Sequence, residues 1–158
     1  MFIREKKIRM AINSKSTKNF IFAVGRRKEA VARVRLYNEV KAVVNGVNLK
    51  KGDIIVNNKP IQEYFRFGPY APIYNNFILN TGINGKYPFS IRVEGGGLAG
   101  QVDAVILGMA RALDKIDREK YHKTLREHGY LTRDARERER RKVGMGGKAR
   151  RKKQSPKR

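Results

Sequence analysis

Between Leu98 and Ile116 the sequence carries one continuous apolar stripe, in which Leu98, Val102, Val105, Ile106, Met109, Leu113 and Ile116 recur at helical spacing. A helix with such a face has to bury it, so the chain must fold around a surface that can receive it. The segment just upstream supplies one. From Pro88 to Glu94 apolar and polar residues alternate, with Phe89, Ile91 and Val93 predicted inward and Ser90, Arg92 and Glu94 outward. Strand, then Gly95-Gly96-Gly97, then helix is the pattern of a helix folded back onto its own sheet, and Gly108 inside the stripe suits close packing of the two.

The alternation recurs earlier in the chain. Phe20, Phe22 and Val24 share one side of a strand that runs into the basic turn Gly25-Arg26-Arg27-Lys28. From Ala30 to Tyr37, Ala32, Val34 and Leu36 face one way while Val31, Arg33, Arg35 and Tyr37 face the other, so one face is core and the other meets water or a ligand. Asn45-Gly46 between short apolar runs predicts a two-residue hairpin, and Asp53 to Val56 a short strand. Pro60 at a first helical position, ahead of Ile61, Tyr64 and Phe65, predicts a short helix. Ile73, Phe77 and Ile78 offer the apolar face of another within 69–80, and a last helix over 118–127 carries Tyr121 and Leu125 and stops at Gly129. The expected fold class is α/β (α+β), a small mixed-sheet domain over residues 19–128 with helices packed on one face.

Residues 129–158 cannot belong to such a core. Beyond Leu131 the sequence TRDARERERRKVGMGGKARRKKQSPKR has almost no apolar residue to offset ordering, and this extended basic tail is expected to be disordered on its own. The chain has a net charge of +23; residues 1–18, a basic N-terminal arm, carry +5, residues 129–158 carry +10, and the 110 residues between them +8. A protein so charged requires an anionic partner, and the weighting of the excess toward both ends points to RNA. Arg outnumbers Lys in the tail by 8 to 5, and its planar fork suits phosphate oxygens and base edges.

Other classes are disfavoured by the same reading. No stretch approaches the roughly 20 apolar residues of a membrane span, and the first residues lack the apolar run of a secretory signal, so a soluble intracellular protein without a membrane partner is expected. The arm is acid-poor in the manner of an organellar transit peptide but is expected to belong to the mature chain. Zero cysteines exclude disulfides and thiolate metal sites, and His122 and His128 stand six apart, off a common helix face, so neither a metal nor a cofactor is expected.

Three features carry candidate chemistry. Gly95-Gly96-Gly97-x-x-Gly100 at a helix start could seat a phosphate on backbone N–H groups, of a nucleotide in an enzyme or of RNA, or it could serve only a tight turn and close packing. The enzyme reading wants a Lys, Ser or Thr on the phosphates and a carboxylate for metal or base, and Leu98-Ala99-Gly100-Gln101-Val102 supplies neither. No catalytic residue and no small-molecule substrate is therefore assigned. Arg33, Arg35 and Arg92 are either solvated charges on an open sheet face or phosphate contacts, and the nearby Arg26, Arg27 and Lys28 favour the second. The tail is either a solubilising run or an RNA ligand. In the second case Arg133, Arg136, Arg140, Arg141, Lys142, Lys148, Arg150 and Arg151 bind RNA, Asp134, Glu137 and Glu139 pair locally with arginines, and Thr132 to Arg141 can form a short helix on RNA. A nucleoid or RNA-chaperone protein that binds any polyanion is the rival binding class.

GRRKEAVARVRL (25–36), GGGLAGQ (95–101) with GMARAL (108–113), and LREHGYLTRDARERERRKVG followed by KARRKKQ and a final Lys-Arg (125–158) resemble the ninth protein family of the small ribosomal subunit, bacterial type. Several separated motifs stand in the family's order across nearly all of residues 19–158. The resemblance implies a small α/β domain on ribosomal RNA in the head of the small subunit, among neighbouring head proteins, in a cytoplasmic or organellar ribosome. It also implies a tail threading through RNA to the peptidyl-site tRNA, where Lys157 and Arg158 would approach the anticodon stem-loop. The family shares its fold with small-molecule kinases, which is the enzyme alternative. This chain departs from the family in its arm, in a longer 38–52 segment, and in ending Gln154-Ser155-Pro156-Lys157-Arg158 where family tails end Gln-Phe-Ser-Lys-Arg. Deleting residues 129–158 is expected to flatten the salt dependence of RNA binding, since each neutralised phosphate contributes about −0.7 to −0.9 to the slope of log K against log salt. An unchanged slope in a salt titration would reduce the tail to a solubilising run.

Overall fold

The computed structural model describes residues 20–38, 42–44 and 47–140. Among them the elements run β1 (Phe20–Arg27), β2 (Ala30–Tyr37), β3 (Ala42–Val44), β4 (Val47–Leu49), β5 (Ile54–Val56), β6 (Lys59–Pro60), α1 (Ile61–Tyr64), α2 (Ala71–Thr81), β7 (Phe89–Glu94), α3 (Leu98–Ile116) and α4 (Arg118–Glu127). One sheet has the spatial order β1-β2-β7-β5-β6, and β3 with β4 forms a separate antiparallel pair. Within the large sheet only β5 and β7 are parallel; their connection runs through β6, α1 and α2. This is the expected mixed-sheet α+β domain with its helices on one face. Asn45-Gly46, the predicted hairpin turn, lies outside the described residues, although the pairing of Val44 with Val47 is that of a two-residue connection.

The long apolar stripe organises the core. α3 spans 19 residues, about 28 Å at 1.5 Å per residue, and buries Val102, Val105, Ile106, Met109 and Leu113. Opposite them lie Ala32, Val34 and Leu36 of β2 and Phe89, Ile91 and Val93 of β7, all buried as their alternation predicts. α3 also approaches β1 until the two backbones touch. A Cβ added at Gly25 would stand 1.8 Å from the carbonyl oxygen of Ala104 and 2.5 Å from the backbone nitrogen of Gly108. One added at Gly108 would stand 2.6 Å from Cγ2 of Val34. Two facing glycines therefore set the distance between helix and sheet, and only Gly108 announced itself in the sequence.

Phe20, Phe22 and Val24 share a side of β1 as expected, and that side is the outer one: Ala23 and Gly25 face α3, and Phe22 is 45% exposed. Other expectations need correction. Tyr37, placed outward by alternation, is buried, with its ring 5.7 Å from that of Phe20. Residues 69–80 do form a helix, α2, but its buried face is Tyr74, Phe77 and Thr81 while Ile73 is exposed. Thr81 can be buried because its hydroxyl donates to the carbonyl of Phe77 at 2.7 Å. Pro60 is the N-cap of α1 rather than its first residue, and it closes a β5–β6 hairpin whose turn residues Asn57 and Asn58 have φ of 46° and 66°.

α4 begins at Asp117, whose side chain accepts from the backbone N–H of Lys120 at 3.1 Å, and it buries Tyr121 and Leu125. It ends as predicted at Gly129, with φ of 71°. The backbone N–H of Gly129 donates to Arg126 and that of Tyr130 to Leu125, which together reverse the chain. Packing continues past residue 128: the Tyr130 ring meets Phe77 edge-on at 5.0 Å, its hydroxyl accepts from Asn80 at 3.0 Å, and Leu131 lies against the core. Residues 133–140 are irregular, so the short helix allowed for Thr132 to Arg141 is absent from the described part of that segment.

Gly25→Ala is expected to fall toward the upper end of the about 1–3 kcal/mol that overpacking costs, because backbone must move to admit the methyl. Gly108→Ala is expected to cost less, since its first obstacle is a side chain and Ala gains about 1 kcal/mol of helix propensity over Gly. Urea unfolding of both variants checks the order; a neutral Gly25→Ala would contradict it.

Candidate nucleic-acid interface

The cations predicted to meet RNA fall into three groups. The first is the outer face of the sheet. β2 and β7 pair with Arg33 directly opposite Arg92, and β1 and β2 pair with Phe22 opposite Arg35. Two like charges across an antiparallel pair repel, and Glu94 moderates this by accepting from Arg92 Nε at 2.8 Å and standing 3.5 Å from Arg33 Nη2. The side chains of Arg33 and Arg92 are still 55% and 75% exposed, so these ion pairs are weak and leave both guanidiniums open to a stronger anion. Arg35 lies over the Phe20 ring at 5.1 Å, and Phe22 stands beside it in the same cross-strand row. A sheet face that mixes exposed guanidiniums with an exposed aromatic ring can meet both phosphates and unstacked bases. Phe22 is the residue that sequence reasoning missed. The signal was Gly25, whose need to face a helix assigns odd-numbered positions of β1 to the core and even-numbered ones to the surface.

The second group is the β1–β2 turn. Arg26 and Lys28 are exposed. Lys28 has φ of 50°, a left-handed conformation that costs a non-glycine residue about 1–2 kcal/mol. This turn sits on the glycine loop: a Cβ at Gly95 would meet the Glu29 carbonyl oxygen at 2.5 Å, and one at Gly96 would meet Ala30 at 3.1 Å. Both glycines also have positive φ, 77° and 61°. Tight turning and close packing thus account for Gly95 and Gly96. Gln101 completes the arrangement by donating to the Gly95 carbonyl at 3.0 Å and accepting from the Tyr64 hydroxyl at 2.9 Å.

Arg27, between two exposed cations, points elsewhere. Its side chain is only 14% exposed, and its guanidinium meets Asp103, Asp134 and the carbonyl of Arg136. The third group, the start of the tail, leaves Arg133, Arg136 and Arg140 exposed. Arg136 is tied to Asp134 by its Nε at 3.1 Å and its Nη2 at 2.7 Å, the local acid–arginine pairing expected of the tail. Those hydrogen bonds, then one from the Arg136 backbone N–H, hold the Asp134 carboxyl well below the usual carboxylate range, and the charge of Arg27 adds to this. A depressed carboxyl contributes above its unfolded value and loses that contribution as pH falls through the folded one, so the pairing stays in force at neutral pH. Arg141, Lys142, Lys148, Arg150, Arg151, Lys157 and Arg158 lie outside the described residues.

The remaining surface is different. From Phe67 to Gly85 the sequence has no charged residue, and α2 there exposes Ile73 and Leu79. The histidines have separate partners, His122 on Asp114 at 2.7 Å and His128 beside the Tyr130 ring. Replacing Arg33 and Arg35 together by Ala is expected to weaken RNA binding and make its salt slope shallower by up to two contacts, while the thermal midpoint moves by a few degrees at most. Unfolding of that variant would mean the faces of β2 are misassigned.

Residues 25–158 match the family described as Ribosomal protein S9/S16. The chain is 42% identical over 137 residues to the Small ribosomal subunit protein uS9 of Synechocystis sp., covering 86% of this chain and 91% of that one. It is 42% identical over 131 residues to the uS9 of Maridesulfovibrio salexigens, covering 83% and 92%. To the protein named uS9c of Emiliania huxleyi it is 42% identical over 124 residues, covering 78% and 86%. A match this long, running through the basic turn, the glycine loop and the tail, shows that the chain belongs to the ribosomal protein S9/S16 family and so to the structural, non-enzymatic constituents of the small ribosomal subunit.

Proposed function

We propose that the chain works in three parts: an arm (1–18), an RNA-binding domain (19–128) and an RNA-threading tail (129–158). The domain binds small-subunit ribosomal RNA in the head through Arg26, Lys28, Arg33, Arg35 and Arg92. The tail continues that grip and brings Lys157 and Arg158 to the peptidyl-site tRNA. The observation that carries the reading is that the family match extends through the tail to the last residue, although the tail has almost no apolar side chain to contribute to a core. What such a segment offers a family is charge, and what it meets must be anionic. Arg27 is set apart from the RNA ligands, because its guanidinium is already spent on protein oxygens. The uncharged outer side of α2 has nothing to offer a phosphate and suits a neighbouring head protein.

The reading divides labour within the tail. Ordering a chain costs about 1–2 kcal/mol per residue, which many cationic contacts along the tail must offset. Lys157 and Arg158 are then free to supply a functional contact rather than assembly affinity. Pro156 fixes its own φ and biases Ser155 toward an extended conformation, which helps project the two cations. Ending the chain at Pro156 is expected to leave its occupancy in ribosomes unchanged and to speed tRNA dissociation from the peptidyl site, by no more than the few kcal/mol two charge-assisted contacts can supply. Unchanged dissociation at full occupancy would remove the tRNA contact and leave the tail as an rRNA ligand only.

A further inference from the structure

Arg27 has the wrong surroundings for a phosphate ligand. Its Nη1 donates to the carbonyl of Arg136 at 2.8 Å and to that of Asp134 at 3.3 Å, its Nη2 pairs with Asp134 Oδ2 at 2.9 Å, and its Nε stands 3.4 Å from Asp103 Oδ2. With four of its five N–H groups directed at protein oxygens, this planar fork has little left to offer a phosphate. Two of those acceptors are backbone carbonyls of the tail, so the contact holds the path of the chain and not just one side chain. Asp134 reinforces it from the other direction, accepting from the backbone N–H of Arg136 at 2.9 Å.

The clamp is the last of a series of contacts that guide the chain out of the domain. The glycine-terminated end of α4 turns it back, Tyr130 seats on Phe77, Leu131 packs on the core, and Arg27 then takes hold of residues 134 and 136. Just beyond, Glu137 and Arg138 line a cleft of about 590 Å³ whose other walls are Arg27, Lys28, Glu29, Tyr70 and the Gly96–Gly100 loop. The tail therefore leaves across the basic turn and the start of α3.

We propose that Arg27 and Asp134 form a clamp that sets where and in which direction the basic tail leaves the domain, making Arg27 a positioning residue for the tail and not a ligand of RNA. The proposal rests on the reading of the tail as the RNA-reaching part of the chain. Without the clamp the last hold among the described tail residues is the Thr132 backbone N–H on the Gly129 carbonyl, four residues before Arg136. At about 3.3–3.6 Å per extended residue, the tail's point of departure would then be undetermined over on the order of 14 Å. Contacts made by a tethered segment weaken as its free length grows, so the loss reaches every cation further along.

Asp134 makes the test sharp, because charge and clamp predict opposite signs. Removing an acidic residue from an RNA-binding protein should tighten binding by charge alone, whereas loss of the clamp should weaken it. The full-length chain and its Arg27→Ala, Asp134→Ala, Asp134→Asn and Arg27→Ala/Asp134→Ala variants are titrated with small-subunit head RNA over a range of salt. Amide hydrogen exchange at Arg136 is followed in the free proteins, with thermal unfolding as the check on folding. The clamp predicts exchange at Arg136 at least tenfold faster in both alanine variants. It predicts RNA binding about five- to tenfold weaker in each, a double variant no weaker than either single one, and an unchanged salt slope. Asp134→Asn, which keeps the acceptor geometry, should fall between, and it carries the test if either alanine variant fails to fold. A slope shallower by about 0.7–0.9 in Arg27→Ala together with tighter binding by Asp134→Ala would make Arg27 a phosphate ligand and overturn the proposal. Faster exchange with unchanged RNA binding would overturn it too, leaving a contact that positions nothing. Failure of the tail reading is recognised separately, since the exchange and the coupling of residues 27 and 134 in the free protein do not depend on RNA.

Discussion

The backbone contact between β1 and α3 is the constraint on which the rest of the domain depends. Gly25 and Gly108 face one another with no side chain between them, so the helix lies on the sheet at a distance that any larger residue would forbid. That distance fixes the alternation of β1: with Ala23 and Gly25 turned to the helix, Phe22 and Arg26 must turn away. From β1 the pattern passes through strand register to β2 and β7, and Arg33, Arg35 and Arg92 come to share one open face. The open cationic face of the sheet is thus a consequence of how closely one helix can approach it.

The same packing explains how the domain carries its charge. Three guanidiniums and an exposed aromatic ring stand on the side without helices, where water screens them until an anion arrives. Glu94 lowers the repulsion of Arg33 and Arg92 without burying either. The helical side joins the charged outer face of α4 to an uncharged stretch from Phe67 to Gly85. The tail adds cations that have no place in a core, and the contacts from Gly129 to Arg136 give it a defined start.

The sequence was most readable where one pattern acted alone. The stripe of α3, the alternation of β7 and of β2 as far as Leu36, and the cap glycine after α4 all follow from apolar periodicity and helix-end signals, and each stands in the structure as read. It was least readable where two patterns competed. In β1 both faces are apolar, Phe20, Phe22 and Val24 against Ile21, Ala23 and Gly25, and only the partner glycine Gly108, more than eighty residues away, decides between them. In α2 the buried face includes Tyr74 and Thr81, polar residues that a purely apolar template passes over in favour of Ile73. Arg27 is the clearest case. Its neighbours Arg26 and Lys28 are surface cations, and nothing within a strand's length tells it apart, because its partner Asp134 is more than a hundred residues further along.

The most direct test places a photoreactive side chain at one position of the sheet face or of α2 in assembled ribosomes and asks what it captures. The account predicts that a probe at Arg33 cross-links to small-subunit ribosomal RNA, and that a probe at Asn76, on the exposed side of α2, cross-links to protein or to nothing. Ribosomal RNA captured from Asn76, with none captured from Arg33, would contradict it.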